Sequence, residues 1–142
     1  DEHIFDAARM MVAHDLSTLP ATRRGRRFAG LVRRYDIFDQ FARMLATQEP
    51  GAILALEVDP RDYALARLIH LIEQNDAKVR AVASQPDNGD DATRVTLKLN
   101  VKDTARIRHV LEHNGYRIVA SFGEEEGEFM ERIEEFMRYL EV

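Results

Sequence analysis

The order of strand and helix patterns over residues 52–122 is the feature that most constrains this chain. Four short segments that are apolar, or that alternate between polar and apolar residues, predict strands at 52–58, 79–83, 94–99 and 116–122. Apolar residues recur at helical spacing between the first and second strands, and again between the third and fourth. The resulting strand–helix–strand–strand–helix–strand order is typical of an α+β, ferredoxin-like sandwich, in which two helices cover one face of an antiparallel sheet.

A shorter pattern of helix, strand, strand and helix comes before this one. Residues 3–14 place apolar side chains at helical spacing, and 16–22 and 28–33 predict two short strands. An arginine-rich turn separates the two strands, and Asp36 opens a second amphipathic helix. The Glu-Pro-Gly tripeptide at 49–51 interrupts the pattern and marks a boundary between the two parts.

The chain therefore divides into three parts, and the two end parts differ in charge. We expect a first domain at 1–48, a second at 51–123 and a C-terminal amphipathic helix at 124–142. The first 46 residues carry 8 Lys and Arg against 6 Asp and Glu, whereas 123–142 carry 2 against 8. Apolar residues at helical spacing give the tail a single stripe, suited either to cover the core or to bind a partner helix.

Composition excludes several classes of protein. The net charge of −5 disfavours general nucleic-acid binding. Because the chain has no cysteine, it cannot form disulfides, zinc–thiolate sites or a cysteine nucleophile. No apolar run approaches the roughly 20 residues of a membrane-spanning helix, and the first residues lack a signal-peptide pattern. We expect a cytoplasmic protein that binds neither nucleic acid nor membrane.

No residue pattern predicts catalysis or a bound cofactor. His109 and His113 lie four residues apart on a predicted helix, a spacing that can hold zinc, but exposed helix histidines are the simpler interpretation. Ser17, Ser84 and Ser121 lack the sharp turn that exposes a nucleophilic serine. We therefore predict that the protein is not an enzyme and uses no cofactor.

The first part resembles one CBS motif, a repeat that binds adenine nucleotides. The resemblance rests on IFDAARMMVAHDLSTLPAT and GLVRRYDIFDQF, which follow the motif's order of helix, strand, turn, strand and Asp-led helix. It implies that adenosine would contact Asp36, Arg33, Leu19 and Pro20, with Asp36 accepting hydrogen bonds from ribose hydroxyls. The family usually has Ser or Thr at the position of Arg33, which here could pair with phosphate. The alternative is that Asp36 caps its helix and Arg33 ends a solvated strand.

The second part resembles an ACT domain, a small module that senses amino acids and related metabolites. The segments that carry the resemblance are AILALEV, DPRDY, IEQNDAKV, RVTLKLNV and EHNGYRIVASFGE. It implies an amino-acid-like ligand at the loop Asp59, Pro60, Arg61 and Asp62. The family usually has a glycine in this loop and this chain has none, so we expect free amino acids to bind weakly or not at all.

Together the two parts resemble the C-terminal portion of a CBS–ACT protein of the acetoin-utilisation-regulator kind. CBS motifs normally occur in pairs, so we expect either a piece of a longer CBS-pair protein or a site completed by dimerisation. We predict a non-enzymatic regulatory module that binds a small-molecule effector, such as an adenine nucleotide, and forms a homodimer. The strand at 79–83 offers a pairing edge with one charge, no proline and no predicted bulge. The alternative is a structural assembly domain without a ligand.

A cluster of four arginines occupies the turn between the first two predicted strands, namely Arg23, Arg24, Arg26 and Arg27. Such a cluster can attract polyphosphate or nucleic acid. No aromatic residue is interleaved with these arginines to stack bases, so a solvated turn is the simpler interpretation.

Overall fold

The structure is a computed structural model that describes residues 3–24, 26–86 and 91–123, together with the single positions 134, 137, 138 and 140. Those four single positions are helical. Apart from them, the helix expected at 124–142 and its apolar stripe lie outside the described residues, as do positions 87–90.

The protein is α+β, and the described residues contain four helices and two antiparallel sheets. Its contacts divide the chain into two compact units, Asp1–Met44 and Leu45–Val142, which we call unit 1 and unit 2. Each unit contains one of the two sheets together with two of the helices.

Unit 1 is built from two helices and a two-stranded sheet. Its elements are α1 (Ile4–Ala13), β1 (Thr18–Arg23), β2 (Arg27–Arg33) and α2 (Arg34–Met44). The two strands pair antiparallel, with Leu19 opposite Val32 and Pro20 opposite Leu31. Because both strands of a two-stranded sheet are edges, the missing amide of Pro20 is tolerated.

Helix α2 begins at Arg34, so the prediction that Asp36 opens it was two residues late. The Asp36 carboxylate lies in the first helical turn and accepts a hydrogen bond from the Arg33 backbone amide at 2.8 Å. An acidic side chain at the third helical position stabilises the helix start in this way, because that amide lacks a partner within the helix.

Unit 1 encloses few of its apolar side chains. Met11 is 3% exposed, but Phe38 is 70% exposed. Several other large apolar side chains in this unit are also exposed, namely Phe5, Met10, Val12, Phe28, Leu31, Tyr35 and Met44. Two helices on a two-stranded sheet provide too little surface to cover them.

Unit 2 has the element order that the sequence predicts over 52–122. Its elements are β3 (Ile53–Val58), α3 (Leu65–Glu73), β4 (Val79–Pro86), β5 (Thr93–Leu99), α4 (Ala105–His113) and β6 (Arg117–Phe122). The sheet order is β4-β5-β3-β6, and every neighbouring pair is antiparallel.

The core of unit 2 lies between α3, α4 and one face of the sheet. Successive side chains of a strand point to opposite faces, so every second residue of β3 and β5 enters this core. The buried core side chains from the strands and the helices are Leu54, Leu56, Val58, Val95, Leu97, Leu99, Leu68, Ile72, Ile107 and Leu111.

Strand β4 lies at an edge of the sheet, as predicted, but it differs from the prediction in two ways. It continues to Pro86, because its last three residues, predicted to be loop, pair with the start of β5. It also contains a register shift between Val79 and Ala81, whereas the sequence suggested a strand without a bulge. The bulge, Arg80 and Pro86 are devices that keep an edge strand from pairing.

Gly51 fits into a space that no other residue can occupy. Its φ is +146°, and a Cβ at this position would overlap the carbonyl of Leu99. The Gly51 carbonyl accepts a hydrogen bond at 2.9 Å from the Nζ of Lys98, a lysine that is only 6% exposed. The neighbouring amide of Ala52 donates to the Val101 carbonyl at 2.8 Å. The chain thus leads into β3 through a tightly enclosed glycine.

We predict that Gly51→Ala lowers the free energy of unfolding by more than about 2 kcal/mol, because strain and steric overlap act together. Gly115→Ala is the matched control, since Gly115 has φ +85° but no atom within 4 Å of an added Cβ. Its cost should be that of backbone strain alone, about 1 kcal/mol. Urea unfolding measures the free energy of unfolding of both variants. An equal loss of this free energy in the two variants would contradict the steric argument.

Candidate functional site

Unit 1 contains an open groove of about 1150 Å³. All four of its elements contribute side chains to the walls. The polar and charged residues that line the groove are His3, Thr22, Arg23, Arg24, Asp36 and Gln40. Apolar side chains such as Leu19 and Val32 form part of the wall, so the groove combines apolar surface with a few polar groups. That combination is usual in small-molecule sites.

Three of the four residues predicted to contact adenosine line this groove. Leu19 and Pro20 come from β1, and Asp36 comes from the first turn of α2. Arg33, the fourth, is at the end of β2 and is not part of the groove lining.

Arg33 binds Asp36 through two side-chain hydrogen bonds. Its Nη2 donates to Oδ1 at 2.9 Å and its Nε donates to Oδ2 at 3.1 Å. These bonds, with that from the Arg33 backbone amide, hold the pKa of the Asp36 carboxyl below its usual value of 3.8. A carboxylate has about four acceptor positions, and three are occupied here. Asp36 therefore stabilises the helix start and still has an acceptor position for a ligand hydroxyl.

Three polar residues of the groove were not predicted from the sequence, namely His3, Thr22 and Gln40. Gln40 follows Asp36 by four positions in α2, so helical spacing places both on one face. Thr22 continues β1 beyond Pro20. Helical and strand periodicity could have identified these two residues. No comparable pattern in the sequence predicts that His3 lines the groove. His3 precedes α1 and caps this helix by accepting a hydrogen bond from the Phe5 backbone amide.

The second predicted site, the loop from Asp59 to Asp62, is a turn closed by its own polar groups. The Asp62 amide donates to the Asp59 carbonyl at 3.1 Å. The Asp59 carboxylate accepts bonds from the Arg61 backbone amide at 2.9 Å and from Arg61 Nη2 at 3.1 Å. The Arg61 guanidinium is the main reason that the pKa of Asp59 is lowered. A ligand at this loop, which also contains Pro60, would have to displace these bonds.

Metal sites and membrane-spanning helices are both absent from the described part of the chain. Among these residues no group of three His, Asp or Glu side chains could hold a metal ion. The rings of His109 and His113 are 6.5 Å apart and both residues are exposed on α4. Over the same ranges, no helix combines the length and the hydropathy required to cross a bilayer.

Comparison with known proteins adds no assignment to this site. No protein-family model and no curated protein matches the chain.

We predict that the Asp36 carboxyl titrates below 3.8 and that Arg33→Ala moves its pKa upward, because the guanidinium bonds are lost. A lowered pKa in the folded state means that ionised Asp36 stabilises the fold. This contribution is complete above about pH 4 and is lost as the pH falls through the folded-state pKa. Carbon-13 NMR of the carboxyl groups measures the pKa of Asp36 in the wild type and in Arg33→Ala. Asp59 is the internal control, since Arg61 still binds it. An unchanged Asp36 midpoint in the variant would contradict the assignment.

Proposed function

We propose that this chain is a non-enzymatic regulatory module, built from a partial CBS motif at 1–48 and an ACT-like domain at 51–123. The helix–strand–strand–helix order of unit 1 supports the first assignment. The βαββαβ order of unit 2 and its sheet order β4-β5-β3-β6 support a ferredoxin-like fold, which the second assignment requires.

The observation that carries the proposal is the groove of unit 1, which brings together Leu19, Pro20 and Asp36. In the proposed complex, an adenine nucleotide lies in this groove, with its base against the apolar residues of β1. One ribose hydroxyl donates to the acceptor position that Asp36 retains. Arg33 acts here as a positioning residue, because its guanidinium fixes the Asp36 carboxylate.

An amino-acid-like ligand at the Asp59–Asp62 loop is less well supported. The Arg61 guanidinium and the Asp59 carboxylate are two charged groups of this loop that would bind the carboxylate and the amine of an amino acid. They bind each other instead, at 3.1 Å between Nη2 and Oδ2. The proposal therefore places the effector in unit 1.

A ligand-free assembly domain is the second candidate, and the exposed apolar side chains of unit 1 favour it. Leaving such side chains in water costs about 25 cal/mol for each Å² of apolar area. A second copy of the chain would cover this area, and dimerisation is common to both candidates. The two functions differ in whether the groove of unit 1 also binds a ligand.

We predict that adenine nucleotides bind the wild-type protein and that Asp36→Ala weakens this binding about tenfold, because one hydrogen bond to a carboxylate is lost. Asp39→Ala is the matched control. Asp39 is also a carboxylate of α2 that pairs with an arginine, Arg43, but it does not line the groove. Isothermal titration calorimetry gives the affinities, and circular dichroism checks that α2 is intact. Equal affinities of the wild type and Asp36→Ala would remove Asp36 from the site.

Thermal unfolding separates the two candidate functions. A ligand present at a hundred times its dissociation constant stabilises the folded state by about 2.7 kcal/mol. A ligand-free assembly domain would show no such shift with any adenine nucleotide.

We further predict that the protein is a dimer at micromolar concentration, with a mass by light scattering of twice 16.3 kDa. Phe38→Glu should produce the monomer, because it places a charge among the exposed apolar side chains of unit 1. Ala83→Lys places a charge on the edge strand β4, which already has protective features, and should leave the dimer intact. A wild-type mass of 16.3 kDa would contradict the dimer, and dissociation by Ala83→Lys alone would move the interface to β4.

A further inference from the structure

The hairpin between β1 and β2 places two arginines at the end of the groove. Arg23 is the last residue of β1 and Arg24 is the first residue of the turn, and both line the groove. Leu19 and Pro20 line the same groove from the start of β1. A strand rises about 3.3 Å per residue, so Leu19 and Arg23 are separated by about 13 Å along the strand. The apolar wall and the two arginines therefore lie at different ends of one elongated groove.

The acidic residues in the described part of unit 1 are already paired. Each forms an ion pair with a different arginine, in the pairs Asp6–Arg9, Asp15–Arg34, Asp36–Arg33 and Asp39–Arg43. The four arginines of the hairpin have no ion-pair partner among the residues that the structure describes. The hairpin thus concentrates uncompensated positive charge in a chain whose net charge is −5.

The register of the hairpin increases this charge density. Arg23 lies directly opposite Arg27 across the β1–β2 pair. Like charges at directly opposed positions destabilise an antiparallel pair. A bound anion would relieve this repulsion, and several negative charges are needed to balance the cluster.

We propose that Arg23 and Arg24 form a polyphosphate subsite, so that the groove binds adenosine di- and triphosphates in preference to the monophosphate or the nucleoside. The inference rests on the proposed function for the adenosine end of the ligand. The guanidinium groups bind phosphate oxygens through charge-assisted hydrogen bonds. Arg33 is not assigned to the phosphates, because it does not line the groove and two of its guanidinium N–H groups bind Asp36.

The hairpin provides a matched control for this subsite. Arg26 and Arg27 belong to the same basic cluster but do not line the groove. Arg27 lies opposite Arg23, so the control is the single variant Arg26→Ala. It removes the same net charge as the single groove variant Arg24→Ala while sparing the subsite. Arg23→Lys/Arg24→Lys keeps the charge and removes the planar geometry that binds two phosphate oxygens at once.

Calorimetry in a metal-free buffer should compare adenosine, AMP, ADP, ATP and inorganic tripolyphosphate. For the wild type we expect the affinity to rise with each added phosphate. Arg23→Ala/Arg24→Ala should lower the ATP affinity at least about tenfold and leave the adenosine affinity unchanged. The Arg26→Ala control should change the ATP affinity less than about threefold, and less than the single groove variant Arg24→Ala does. The double lysine variant should fall between the wild type and the double alanine variant.

The outcomes separate this inference from the proposed function. If adenosine and ATP bind equally well, or if the control loses as much ATP affinity as Arg24→Ala, the subsite is wrong. If tripolyphosphate binds through Arg23 and Arg24 as tightly as ATP does, and adenosine does not bind, the subsite stands and the adenosine site is wrong. A single-stranded RNA without adenine that binds more tightly than ATP would identify the cluster as a nucleic-acid contact and overturn the inference.

Discussion

The small size of the sheet in unit 1 is the constraint from which the properties of the proposed site follow. A two-stranded sheet with two short helices cannot enclose a full hydrophobic core, and an isolated hairpin is marginally stable in water. One result is the open groove between the helices and the hairpin. The other is a set of exposed apolar side chains, with Phe38 the most exposed of the phenylalanines in this unit. The groove offers a ligand a site, and the apolar side chains offer a second copy a surface.

Unit 2, in contrast to unit 1, buries a core of apolar side chains. Its sheet has four strands, and α3 and α4 cover one face, so the side chains between them are fully buried. Gly51 packs against the Leu99 carbonyl and binds Lys98 just before β3 begins. In the predicted ligand loop of this unit, Arg61 also donates a hydrogen bond to Asp59, so these two side chains bind each other. Unit 2 thus has a closed core, whereas unit 1 has an open groove and exposed apolar side chains.

Electrostatics separates the arginines of unit 1 into two groups with different roles. Arg33 has a carboxylate partner, and the pair fixes the start of α2 at the groove. Arg23 and Arg27 face each other without such a partner in the described residues. Removing this repulsion by substitution would stabilise the hairpin, so the arrangement is easier to explain by binding than by folding.

The sequence determined the element order of both units and the edge position of β4. It did so because hydrophobic periodicity and chain breakers are local properties. The contacts divide the chain between Met44 and Leu45, before the Glu-Pro-Gly breaker that was predicted as the boundary. The continuation of β4 to Pro86 and its bulge depended on pairing with β5, which periodicity does not encode. The start of α2 was misplaced because an acidic residue favours both the cap position and the first turn. Only the tertiary structure brought Leu19, Pro20 and Asp36 to one groove, left Arg33 outside its lining and placed Arg23 and Arg24 at its end. Those outcomes depend on contacts between separate elements, which are set by packing and by competition among charges for partners.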